Sequence, residues 1–165
     1  MDPIVIDAFE FCRLGEQREG EMAVADLPRL AAESVDGAGR VGWVLQGGRD
    51  QHGHPQLTMR VQGDVRLICQ RCLQPFTFEF DSSAVLVLAQ SEAHADEIEA
   101  LLADEDVEVI VGAKAMAVAD LVEDDALLAL PLSPRHETCP DQLTLPQPAP
   151  EEKVSPFAVL KNLKK

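Results

Sequence analysis

A chain of 165 residues, 46% hydrophobic and with a formal net charge of −15, can build one domain around a real core but is too short for two large ones. No apolar run approaches the roughly 20 residues that span a bilayer, and Met1-Asp2-Pro3 opens without a basic region or long apolar segment; a cytoplasmic protein with no membrane partner is expected. Much of the charge falls between Glu79 and Asp125, where Lys114 is the only basic residue, so the body repels phosphate and favours a basic partner.

Asp7 followed by Glu10 predicts a capped helix over Ala8 to Leu14, stopped by Gly15 and containing Cys12. A second short helix is expected after Asp26, whose carboxylate can accept from first-turn amides, through Leu30 to Ser34, with Gly37 and Gly39 ending it. Val41, Trp43 and Leu45 alternate as a strand, followed by a polar loop containing Gly47, Gly48, Gly53 and Pro55. From Leu57 to Cys69 the apolar residues fall at odd positions, and from Phe76 to Leu88 at even ones, which is the period-two pattern of two half-buried strands. Placing Cys69 opposite Phe76 sets Leu67 against Phe78 and Val65 against Phe80, with Arg66 meeting Glu79 on the other face. A slip of one residue would expose the apolar row.

Beyond the hairpin, Ser91 can cap a polar helix from Glu92 to about Ala103, and Val107 to Val111 is a short β-branched run stopped by Gly112. Val118, Leu121, Val122 and Leu128 recur at helical spacing, with Asp120, Glu123 and Asp124 off that stripe and Pro131 as the stop. The expected fold is α+β: an antiparallel sheet built around the long central hairpin, with flanking helices, forming a single domain over residues 1–139. A proline-rich linker over 140–155 and a basic amphipathic tail over 156–165 follow, the tail carrying Phe157, Leu160 and Leu163 between lysines.

The chemistry concentrates at the hairpin knuckle, Cys69-Gln70-Arg71-Cys72. Two sulfurs two residues apart on a tight turn converge on one point, the spacing of zinc knuckles and of redox disulfides. His136 and Cys139 repeat the two-residue gap and would complete a Cys3His tetrahedron for zinc. The plainer alternative is a pair of small turn cysteines and an unrelated loop. A redox pair fits less well, because thioredoxin-like sites open a helix and these flanks read as strands. Arg71, between the thiols, suits lowering a thiol pKa or a phosphate or carboxylate contact, with a solvated turn arginine as the plainer alternative. Asp120, Glu123, Asp124 and Asp125 read as a solvated helix face able to meet a cationic partner rather than as a catalytic carboxylate cluster. There is no glycine-rich phosphate loop, nucleophile elbow or His-Glu-x-x-His helix, and no small-molecule substrate is expected.

Three blocks carry a family resemblance: Val65 to Phe76 around the knuckle, Asp120 to Pro131 with His136 beyond, and the closing Pro156 to Lys164. In that order they resemble the bacterial YceD family, described as large ribosomal RNA subunit accumulation proteins. The resemblance implies a cytosolic, nonenzymatic factor in ribosome biogenesis. Many relatives carry a further cysteine pair near the C-terminal block, where this chain has His136 and Cys139. The expected partners are ribosomal RNA or a large-subunit precursor, or a basic ribosomal protein, contacted through Arg71, Asp120, Glu123, Asp124 and the tail residues Phe157, Leu160, Lys161 and Lys164. The contrasting reading is a zinc-dependent or thiol-dependent enzyme using Cys69 and Cys72.

Overall fold

The computed structural model describes residues 4–140, so the tail and all of the linker after Pro140 lie outside the described residues. In chain order the elements are β1 (Val5–Ile6), α1 (Ala8–Leu14), β2 (Gln17–Ala23), a 3-10 turn (Val24–Asp26), α2 (Pro28–Glu33), β3 (Arg40–Arg49), β4 (Pro55–Ile68), β5 (Pro75–Ala89), α3 (Glu92–Leu101), β6 (Glu108–Val111), β7 (Met116–Ala117) and α4 (Val118–Ala129). The main sheet has the order β2-β3-β4-β5-β6, with β4 central and the β4–β5 hairpin as its largest unit. All pairings are antiparallel except β5 with β6, which is parallel because α3 carries the chain back across the sheet. The α+β class holds, with a mixed rather than purely antiparallel sheet.

One face of the sheet holds the main core. Val41, Trp43 and Leu45 of β3, and Leu57, Met59, Val61, Val65 and Leu67 of β4, pack against Phe11, Leu30, Val118, Val122 and Ala126 of the helices. Helix α1 can sit this close because β3 carries Gly47, where a Cβ would stand 2.4 Å from the Phe11 carbonyl oxygen. Gly47 and Gly48 therefore belong to β3 rather than to the expected loop, which shrinks to the five residues 50–54. Toward its end β5 abandons alternation: Leu86, Val87, Leu88 and Ala89 are all buried, because α3 covers the second face with Ala95, Ile98 and Leu102.

The hairpin register departs from the expected one by two residues. Leu67 stands opposite Phe76, Val65 opposite Phe78 and Arg66 opposite Thr77. Cys69 pairs instead with Gln74, its amide donating to the Gln74 carbonyl at 3.0 Å. A slip of two leaves every side chain on its expected face, so alternation alone cannot detect it. The Arg66–Glu79 contact is replaced by an Arg66–Asp36 ion pair at 3.4 Å, while Arg60 grips Asp81 through two bonds of 2.9 and 2.6 Å.

Two helix ends also differ. Asp7 caps α1 as expected, accepting from Phe9 and Glu10, and Gly15 closes it in the left-handed conformation. Asp26, however, lies inside the 3-10 turn, and α2 starts at Pro28 with Leu27, which has no side chain able to cap it, at its N-cap position. In α4 the buried stripe is Val118, Val122, Glu123, Asp125 and Ala126, whereas Leu128 is 77% exposed. No helix among the described residues is long and apolar enough to cross a membrane.

Candidate metal centre

The six residues between β4 and β5 form a knuckle rather than a simple turn. The Leu73 amide turns back to the Cys69 carbonyl at 2.9 Å, and Leu73 itself adopts φ 59°, the left-handed region that L-residues avoid, which swings the chain beyond it so that the Gln74 carbonyl meets the Cys69 amide. The bend points the Arg71 amide at Cys69 Sγ, 3.4 Å away. After α4 the chain runs back along the hairpin end, held by the Gln70 amide donating to the Pro134 carbonyl at 2.8 Å. That contact delivers His136 and Cys139. The His136 amide donates to Cys69 Sγ at 3.4 Å, and the imidazole packs on Phe76 with ring centres 4.8 Å apart.

The four candidate ligands predicted from spacing thus meet. Cys69 Sγ lies 3.9 Å from Cys139 Sγ, Cys72 Sγ lies 3.3 Å from His136 Nδ1, and all four donor atoms fall within 4.8 Å of one another. A tetrahedral ion with sulfur at about 2.3 Å and nitrogen at about 2.0 Å needs edges of roughly 3.5–3.8 Å between its ligands. The group could hold a metal ion with only small adjustments. All four cysteines are free thiols, and Cys69 and Cys139 are buried.

The electrostatics suit a cation. Burial alone would raise the Cys69 thiol, but amide hydrogen bonds from Cys72, His136 and Arg71, and the His136 side chain, outweigh it and bring the pKa down to about 5. Cys139 is pushed up to about 11, first by burial and then by the neighbouring sulfurs of Cys72 and Cys69. Three sulfurs gathered without an opposite charge repel one another as thiolates, and a dication at their centre removes that repulsion. Four donors would leave a tetrahedral ion no open position, the arrangement of a closed site.

The acidic helix residues fare differently. Asp120 and Asp124 are exposed, as a solvated face requires, but Glu123 is only 3% exposed. Its carboxylate accepts from the backbone amides of Arg29 at 2.6 Å and Leu30 at 3.0 Å, and from Arg29 Nε at 2.9 Å. Glu123 is therefore the missing cap of α2, supplied from another helix, and its place on a partner-facing surface is corrected. Asp124 also bonds Arg29, at 2.5 Å. Arg71 is exposed at the knuckle, and Phe157, Leu160, Lys161 and Lys164 lie outside the described residues. Asp125, expected on the solvated face, is instead buried beside the sheet with Ser82 Oγ donating to its Oδ1 at 3.2 Å. Its position was legible: it stands seven residues after Val118 and three after Val122, on the buried stripe.

A family model described as large ribosomal RNA subunit accumulation protein YceD matches residues 57–164, from the start of the central hairpin to the tail. The chain is also 30% identical to the large ribosomal RNA subunit accumulation protein YceD of Haemophilus influenzae, over 98% of this chain and 95% of that relative. No solved structure matches it. Because the matched span contains the knuckle, α4 and both ligand pairs, and the similarity runs nearly end to end, this chain belongs to the YceD family.

Proposed function

We propose that the protein is a noncatalytic factor of large-subunit assembly: a zinc-clasped domain that holds a basic large-subunit ribosomal protein on its acidic body while Arg71 and the tail contact ribosomal RNA. The observation that carries this reading is the closure of the Cys3His group. Four donor atoms within 4.8 Å of one another would fill every corner of a tetrahedron around a structural zinc, leaving none open for the substrate that a zinc enzyme must bind. The net charge of −15 favours a cationic protein over bare RNA as the partner of the body. The family description, large ribosomal RNA subunit accumulation protein, supports a ribosome-related role.

Affinity capture with the full chain tests this. Basic large-subunit proteins should be enriched, survive ribonuclease treatment and fall away as salt rises past the screening range. Recovery of RNA alone, stable to high salt, would overturn the protein-partner reading. Elemental analysis of protein purified without chelator should find about one zinc per chain.

A further inference from the structure

Strand β5 is 15 residues long, yet β6 pairs only with Leu86–Ala89. Among the described residues, the outer edge of β5 from Pro75 to Val85 has no neighbouring strand. Such an edge offers alternate N–H and C=O groups to an added strand. Beside the point where the free edge meets β6, α4 and the sheet face bound a cavity of about 60 Å³. Its walls are apolar, from Met59, Leu86, Ile110 and Leu121, with Leu128 at the lip.

Asp125 lines this cavity although it is only 7% exposed. Ser82 satisfies Oδ1, but Oδ2 has no hydrogen-bond partner among the described residues. A buried carboxylate oxygen left in this state is costly, and burial accordingly raises its pKa, with the Ser82 bond opposing. The charged groups that line the cavity, Glu108, Asp124 and Asp125, are all carboxylates, so what they jointly favour is a cation. Arginine recognises carboxylates with both oxygens at once, and here one is already taken. A lysine fits both halves of the problem: its methylene stem lies against the apolar walls and its compact ammonium reaches one oxygen. Glu108 and Asp124 at the rim add to the attraction for a cationic chain.

We propose that this cavity receives a lysine side chain from an extended, basic segment of a partner protein that lies along the free edge of β5. The proposal deepens the assembly-factor reading, naming where and by what chemistry the basic partner is held. It also accounts for the exposed Leu128, as the lip against which the segment packs.

The test is fluorescence anisotropy of the full chain with a labelled heptapeptide alternating lysine and threonine, and with an analogue carrying norleucine for lysine. Asp125→Asn should weaken the lysine peptide about tenfold, the loss of one charged hydrogen bond, while leaving the norleucine analogue unchanged. The same substitution should raise the thermal midpoint, since it removes a poorly satisfied buried charge; a structural Asp125 would give the opposite shift. Equal peptide affinity in parent and variant, or a lowered midpoint, overturns the proposal. Replacing Lys161, Lys164 and Lys165 by glutamine should leave peptide affinity unchanged. A severalfold gain would mean the chain's own tail fills the cavity, and would overturn the foreign partner. If Asp125→Asn fails to weaken peptide binding while basic large-subunit proteins are still captured, the cavity falls and the assembly reading stands. If the peptide effect appears with no such capture, the reverse holds.

Discussion

Truncating Glu123 should unfold the protein more readily than its surface-helix position suggests. Helix α2 has no N-terminal cap of its own, and the Glu123 carboxylate accepts from both Arg29 and Leu30 amides in its first turn, at 2.6 and 3.0 Å. Removing a helix cap costs about 0.5–2 kcal/mol, and bonds to an ionised acceptor lie higher, at about 1.5–3 kcal/mol. The Glu123→Ala variant also leaves a void at a site only 3% exposed. A loss of about 3 kcal/mol follows for the combination, or roughly 6–12 °C in thermal midpoint for a domain of this size. Glu123→Gln keeps an oxygen for the two amides, but a neutral acceptor makes bonds about half as strong, so roughly half the loss is expected. Urea unfolding at neutral pH, with an unchanged denaturant slope, is the assay. An alanine variant within about 0.5 kcal/mol of the parent would refute the capping argument. So would one that keeps full stability and loses only the captured partner, because Glu123 would then belong to the interface.

If the Cys3His group holds the proposed zinc, chelator treatment or Cys69→Ser should release it and lower the thermal midpoint; a metal-free protein of unchanged midpoint would remove the clasp. Leu73→Gly should stabilise by about 0.5–1 kcal/mol, as relief of a left-handed φ exceeds the added freedom of the unfolded chain, and denaturant titration reads it. The buried carboxylates Asp125 and Asp50 should move stability in opposite directions with pH. Burial raises Asp125 above its ordinary 3.8, so the folded state binds the proton more tightly and stability falls as pH rises from 3.8 through the folded pKa. For Asp50, burial is outweighed by bonds from the His54 ring and the His54 and His52 amides. Its pKa is lowered, so its contribution is present above 3.8 and lost as pH falls through the folded value. Stability measured across this range on Asp125→Asn and Asp50→Asn should flatten the respective slopes.

The parts of the molecule that were legible in the sequence share a cause: each is written by a local pattern. The α1 cap and stop, the α3 cap at Ser91, and the alternating hairpin strands all depend on residues within a few positions. Strand β2 was missed because Gln17–Ala23 is polar on both faces, as an exposed edge strand can be. The cap of α2 comes from 94 residues away, beyond any local signal. Register failed by two because the information lay in the Leu73 backbone, and a leucine does not announce a left-handed φ as glycine would. The ligand set was recoverable because a two-residue gap repeated twice is itself a local pattern, even though only the fold could join the halves.

The split of that ligand set has a consequence during synthesis. Cys72 is made about 67 residues before Cys139, an interval of about 3–13 s at ordinary elongation rates of about 5–20 residues per second. Once β5 has been made through Ala89 the hairpin can form, but its two thiols still have no His136 or Cys139 to meet. A nascent chain therefore passes through a stage with an incomplete donor pair, open to oxidation or to a wrong metal, and closes it only when nearly the whole domain has emerged.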